Sequence, residues 1–121
     1  MNKSVLVIDD EKDFCEVISR ALKKEGFDVD CAFNLEEAGP KLAVRPDIVI
    51  LDNNLPDGSG IEYIRMHPVE FMECFVILIS ADPGTSLQNQ AAYEGIRAFL
   101  PKPFSIDRMK EVLTGSFWHG I

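Results

Sequence analysis

Apolar and polar residues alternate along this chain in two rhythms. Val5-Leu6-Val7-Ile8, Ile48-Val49-Ile50-Leu51 and Cys74-Phe75-Val76-Ile77-Leu78-Ile79 are apolar at every position. Successive side chains of a strand point to opposite faces, so each run predicts a central strand covered on both sides. Phe27 to Phe33 alternates instead, with Phe27, Val29 and Cys31 against Asp28 and Asp30, which predicts an edge strand with one wetter face. Arg97 to Leu100 is a short fifth strand. It runs into Pro101-Lys102-Pro103, and prolines that cannot donate to a ladder suit an edge.

Between these runs the period lengthens to that of a helix. Glu11 to Glu25 places Phe14, Val17, Ile18, Ala21 and Leu22 on one stripe, and Gly26 supplies the stop. Asn34 is a cap for a helix expected to reach about Val44, with Pro46 closing it. Gly39-Pro40 lies in its middle, and proline removes a backbone donor and clashes with the preceding turn. This helix is therefore expected to be kinked, shortened or restarted near Pro40. Ser59 or Gly60 starts a helix with Ile61 and Ile64 that cannot run far past His67, because Pro68 follows. Thr85 or Ser86 caps a helix bearing Leu87 and Ala91 and stopped by Gly95. Ser105 caps the last, with Ile106, Met109 and Leu113 at helical spacing. Five βα units joined by short connections predict the α/β class: a doubly wound (βα)5 domain with right-handed crossovers. Its five-stranded parallel sheet would have the order 2-1-3-4-5, with helices on both faces. In such a sheet ligands bind outside the carboxyl ends of the strands, where the winding reverses.

Composition narrows the possibilities. With 121 residues, 46% of them hydrophobic, residues 1–121 are expected to form one compact domain. A net charge of -8 argues against gripping nucleic acid through its phosphates. No apolar stretch approaches the ~20 residues that cross a bilayer. Cys15, Cys31 and Cys74 are odd in number and lack metal-ligand spacing, as expected of reduced thiols in the cytoplasm.

The carboxyl ends of the expected strands carry the chemistry. The first delivers Asp9 and Asp10, the third Asp52, the fourth Ser80, and the fifth Lys102. Each has an ordinary explanation alone: a charge pair at a helix start, a turn cap, a surface lysine. Together they form a set with a chemical logic. Three converging carboxylates repel one another unless a cation lies among them. Oxygen ligands with room for water suit Mg²⁺. A hydroxyl and an ammonium complement a phosphoryl group, and a carboxylate beside such a metal can act as the nucleophile.

These residues carry a family resemblance that spans nearly the whole chain. Val5-Leu6-Val7-Ile8-Asp9-Asp10-Glu11, Leu51-Asp52-Asn53-Asn54-Leu55-Pro56-Asp57-Gly58-Ser59-Gly60 and Leu100-Pro101-Lys102-Pro103-Phe104 resemble the receiver domain of two-component response regulators, a CheY-like, flavodoxin-like fold. The resemblance implies that Asp52 accepts phosphate from a histidine kinase or phosphotransfer protein. Asp10, Asp52 and the backbone carbonyl of Asn54 would bind Mg²⁺, with Asp9 acting mainly through water. Ser80 would be the switch hydroxyl, and Lys102 would contact the phosphoryl group or the unmodified carboxylate. Phe99 stands where the family often has a rotameric aromatic, with packing alone as the plainer role. Asn54 and Asp82 occupy positions that tune hydrolysis of the acyl phosphate. A cis bond between Lys102 and Pro103 is also implied. The signal would pass to the face made by the fourth helix, fifth strand and fifth helix, through which a homodimer could form. Such a domain is a phosphoacceptor and not an enzyme acting on separate substrates. It would be either a stand-alone receiver or the N-terminal piece of a longer regulator, for which transcription regulation is the expected output.

Other readings fit less well. A haloacid-dehalogenase phosphatase would begin an Asp-x-Asp motif after the first strand, whereas Asp52 follows the third and the second residue after it is Asn54. A calcium loop starting at Asp52 would put Asp57 at its glycine position and Tyr63 at its bidentate glutamate position. A flavodoxin-like nucleotide binder would need a glycine-rich loop where Asp9-Asp10-Glu11 stands. A phosphorylation-independent docking module has only the Gly39-Pro40 region to recommend it, since every chemical group is present.

Overall fold

The computed structural model describes residues 2–81, 84 and 95–114. The chain runs β1 (Ser4–Ile8), α1 (Lys12–Lys24), β2 (Asp28–Ala32), α2 (Leu35–Leu42), β3 (Ile48–Asp52), α3 (Gly60–Met66), β4 (Phe75–Ser80), β5 (Ala98–Pro101) and a last described helix, Ile106–Thr114. All five strands are parallel, in the order β2-β1-β3-β4-β5, which is the expected doubly wound sheet. The fully apolar runs became the three inner strands, and the alternating and proline-flanked runs became the edges.

Alternation along each inner strand divides the core into two layers. Val5, Val7, Ile48, Ile50, Phe75, Ile77 and Ile79 pack on one face with Cys15, Ile18 and Leu22 of α1 and Met109, Val112 and Leu113 of the last helix. Leu6, Ile8, Val49, Leu51, Val76 and Leu78 pack on the other with Leu35, Ala38 and Leu42 of α2 and Ile61 and Ile64 of α3. The stripe of α1 is rotated from the expected one. Cys15 is inside and Val17 is 55% exposed, because positions 15, 18 and 22 define the face that meets the sheet.

The proline in α2 shortens the helix without breaking it. Asn34 caps it by accepting from the Glu37 amide at 2.8 Å, and it ends at Leu42 rather than near Val44. An interior proline costs about 3 kcal/mol relative to alanine. Burial of Leu35 and Leu42 stabilises by roughly 1.5–3 kcal/mol each, so packing outweighs the penalty. Two local elements were not expected from the sequence. An antiparallel ribbon pairs Asn54–Leu55 with Gly58–Ser59. Pro68, placed at the first position of a new turn, opens a single helical turn Pro68–Phe71 just where α3 stops. The expected helix over Leu87 and Ala91, together with Asp82 and the Phe117-Trp118 tail, lies outside the described residues.

Because Pro40 is exposed and its missing donor lies within α2, Pro40→Ala should raise stability by about 1–3 kcal/mol, part of the gain being offset by the freer unfolded chain. Urea denaturation measures this directly. An unchanged or lower midpoint would contradict the account of α2.

Candidate functional site

Parallel register brings the chemical residues to one edge of the sheet. Ile8 is level with Leu51, and Asp52 with Ile79, so the residues just beyond β1, β3 and β4 emerge side by side. Asp9, Asp10 and Asp52 each present a carboxylate oxygen within 4.8 Å of the others. Asp9 is 0% and Asp52 5% exposed, whereas Asp10 faces solvent. Ser80 is buried at the end of β4. Its carbonyl accepts from the Lys102 amide at 2.8 Å, which extends the β4–β5 ladder by one step and fixes the backbone of Lys102 at the site. The Lys102–Pro103 bond is cis, as the resemblance implied.

Lys102 joins the acids. Its Nζ donates to Asp9 Oδ2 at 2.8 Å and to Glu11 Oε1 at 2.8 Å, and lies 3.5 Å from Asp52 Oδ2. Asp9 Oδ1 also accepts from the Glu11 amide at 2.9 Å, and Asp52 Oδ1 from the Asn54 amide at 3.1 Å. These bonds do not fully compensate the acids. Burial pushes the Asp9 carboxyl up, and the Lys102 and Glu11 hydrogen bonds only partly reverse it. Burial and the neighbouring Asp9 charge likewise raise Asp52, against the Asn54 amide and Lys102. Burial by itself would lower Lys102, but its bonds to Asp9 and Glu11 hold it above the ordinary lysine range. One ammonium thus serves three carboxylates and leaves negative charge to spare, which is the electrostatic condition that favours a divalent cation.

The loop after Asp52 is held from three sides. Asn53 donates its amide to the Ile79 carbonyl at 2.9 Å, and its Oδ1 accepts from the Ile61 amide at 3.0 Å and from Ser59 Oγ at 3.2 Å. Gly60 passes so close that a Cβ there would lie 2.8 Å from the Asp52 carbonyl oxygen. Asp57 crosses to the start of α2, where its carboxylate accepts from the Leu35 and Glu36 amides at 2.9 and 3.0 Å. Those bonds hold the Asp57 carboxyl below its usual range.

The structure therefore brings together Asp9, Asp10, Asp52, Ser80 and Lys102, with Asn54 beside Asp52. Phe99, level with Leu78 on β5, is half-buried against the layer that holds Leu78 and Phe71. Asp82 lies outside the described residues. Glu11, Asn53 and Asp57 were not anticipated as site residues. Glu11 had a signal, following Asp9-Asp10 directly, but its partner lies 91 positions away.

Sequence and fold comparisons point the same way. Residues 5–114 match the response regulator receiver domain. The response regulator protein PilR of Pseudomonas aeruginosa is 31% identical over 112 residues, which are 92% of this chain and 25% of PilR. The chain thus spans about a quarter of that relative's length. The beryllofluoride-activated NtrC4 receiver domain, solved in solution as a dimer, is 31% identical with a TM-score of 0.85, covering 92% of this chain and 93% of that one. A CheY-like receiver domain protein of Methanospirillum hungatei, at 21% identity, shares the fold with a TM-score of 0.87 over 94% of this chain and 92% of its own. With its (βα)5 sheet and its acid cluster at the strand ends, the chain belongs to the response regulator receiver domain family, the signalling module of two-component systems.

Proposed function

We propose that Asp52 is the phosphoacceptor, taking a phosphoryl group from a histidine kinase or phosphotransfer protein. The observation that carries this is the cluster of Asp9, Asp10 and Asp52 within 4.8 Å, two of them buried and joined by Lys102. The donor set fits a hard divalent cation, with Mg²⁺ held by Asp10, Asp52 and the Asn54 carbonyl, and Asp9 acting through water. Bound there, the ion neutralises charge on the incoming phosphoryl group.

The protein's own groups do the rest. Asp52 attacks phosphorus through a carboxylate oxygen, an acyl phosphate forms and the bond from phosphorus to the donor breaks. Lys102, already 3.5 Å from Asp52, exchanges part of its contact with Asp9 and Glu11 for a phosphoryl oxygen. Ser80 donates its hydroxyl to a second oxygen. Asn54 and Asp82 set how readily water reaches the acyl phosphate. As Ser80 moves in, Phe99 turns into the space it leaves, a shift between two existing states that alters the face which the expected helix over Leu87 and Ala91 would make with β5 and the last helix. That face passes the signal on, and a homodimer through it is one form of readout. Residues 1–121 act as the receiver of a longer regulator whose output is control of transcription. Support for the longer protein is the 25% share of PilR that this chain matches. The site faces solvent as part of a cytoplasmic phosphorelay, and no helix among the described residues is long and apolar enough to cross a membrane.

Intact mass after incubation with acetyl phosphate tests the acceptor. One phosphoryl group should appear with Mg²⁺, and none without it or in Asp52→Asn. An adduct indifferent to Asp52 would sink the proposal. If no adduct accumulates, a beryllium fluoride titration followed by NMR separates rapid hydrolysis, where shifts centre on Asp52, from absence of the site.

Stability without metal gives a second test. The folded-state value of the Asp52 carboxyl lies above its ordinary value, so its ionised form opposes folding. That opposition is absent below the ordinary carboxylate range and grows as pH rises through the raised value. Metal-free Asp52→Asn should therefore be more stable than the wild type at pH 7, the difference shrinking on acidification. Mg²⁺ at a hundred times its dissociation constant should stabilise the wild type by about 2.7 kcal/mol and the variant by much less. Thermal melts across pH decide; a variant less stable than the wild type at pH 7 would refute this reading of the electrostatics.

A further inference from the structure

Away from the carboxylates, the fold brings two cysteines together. Cys15 lies on the buried stripe of α1, and Cys31 lies on the face of β2 that packs against it. Ser19, one turn after Cys15 on α1, meets Cys31 directly, so the two cysteines are neighbours across the α1–β2 contact. Cys31 Sγ is 3.2 Å from Ser19 Oγ, and the Cys15 thiol donates to the Asp9 carbonyl oxygen at 3.3 Å. The two thiols differ in access. Cys15 is 2% exposed, whereas Cys31 is half-buried on an edge strand.

The surroundings of Cys31 favour its thiolate. The Ser19 hydroxyl and the Cys15 thiol, when it turns from the Asp9 carbonyl, can donate to its sulfur, and the Lys41 ammonium, bonded to the Cys31 carbonyl, adds positive charge. Together they outweigh burial and the Asp30 charge and hold the Cys31 thiol below its ordinary range. An accessible thiolate beside a second, buried sulfur is the pairing of an attacking and a resolving cysteine. The backbone of Asp9 touches Cys15 and the residue beside Cys31. Its carbonyl accepts from Cys15, and its amide donates at 3.0 Å to Ala32, the residue after Cys31.

We propose that Cys15 and Cys31 form a redox-convertible dithiol, a modification site at which a hydroperoxide closes a disulfide between α1 and β2 and thereby weakens cation binding at Asp9, Asp10 and Asp52. The Cys31 thiolate attacks a peroxide oxygen, the O–O bond breaks, and a sulfenic acid and hydroxide result. The Cys15 sulfur then displaces hydroxide from the sulfenic sulfur and its own proton leaves with it as water. Two thiols are oxidised to one disulfide and one hydrogen peroxide is reduced to two waters. Closing the bond removes the thiol proton that Asp9 accepts and ties the strand end that its amide reaches. The thiol chemistry goes beyond the phosphoacceptor reading; its effect on the cation rests on that reading.

The experiment uses the full chain carrying Cys74→Ser, with limiting hydrogen peroxide. Expected are an intact mass lower by two hydrogen atoms, a Cys15–Cys31 linked peptide in a non-reducing digest, and full reversal by dithiothreitol. Cys15→Ser should stop at a dimedone-trappable sulfenic acid on Cys31. Calorimetric titration should show the oxidised protein binding Mg²⁺ about tenfold more weakly than the reduced one, the scale of effect when groups behind metal ligands are disturbed. Oxidation that leaves Cys31 as a sulfinic acid without the linked peptide, or that reaches Cys74 before Cys31 in the wild type, would overturn the dithiol. A disulfide with unchanged Mg²⁺ affinity would overturn the coupling. Reduced protein that binds no Mg²⁺ would count against the phosphoacceptor reading alone, since the linked peptide is read without metal.

Discussion

Two carboxylates buried at the ends of neighbouring parallel strands set the terms for everything around them. At separations of a few ångströms and reduced dielectric, like charges repel by several kcal/mol before any compensation. Lys102 supplies that compensation from β5, the far edge of the sheet, and supplies it incompletely: its strongest contacts go to Asp9 and Glu11, with Asp52 at 3.5 Å. Asp52 is consequently the acid with the weakest claim on the lysine. It is left partly uncompensated, in a place where a cation would supply the missing positive charge.

The scaffold exists to hold that imbalance in position. Three inner strands apolar on both faces give a sheet that cannot slip register without moving whole layers of side chains, and the register is what aligns Asp52 with Ile79 and delivers Ser80 beside it. Lys102 reaches the acids because its amide continues the ladder onto Ser80. The loop after Asp52 is gathered by Asn53 onto β4 and α3 and by Asp57 onto α2, while Gly60 permits an approach to the Asp52 carbonyl that any side chain would block. Each clamp joins the loop after Asp52 to a different element, β4, α3 or α2.

The thiol pair shares this geometry from the opposite side. Asp9 is held through its side chain by Lys102 and through its backbone by Cys15 and Ala32. A carboxylate residue gripped at both ends ties α1 and β2 to the strand ends.

Much of this was legible in the residues themselves. Short uninterrupted apolar runs rich in β-branched residues suit buried strands, so Val5–Ile8, Ile48–Leu51 and Phe75–Ile79 announced the inner sheet, and the polar residues that end them announced the site. Asn34 announced its helix because capping is local. Periodicity was less sure about faces: it grouped Val17 with Ile18, and only the docking of α1 on the sheet showed Cys15 to be the inward residue. Long-range partnerships were not readable at all. That Glu11 would share Lys102, that Asp57 would cap a helix 22 residues earlier, and that Ser19 of α1 would meet Cys31 of β2 depend on how separate elements pack. A sequence fixes what each residue can offer and which face of its own element it occupies, since both follow from covalent chemistry and local backbone geometry. Which offers meet is decided by the sheet order and register, because those alone bring distant stretches of chain within hydrogen-bonding reach.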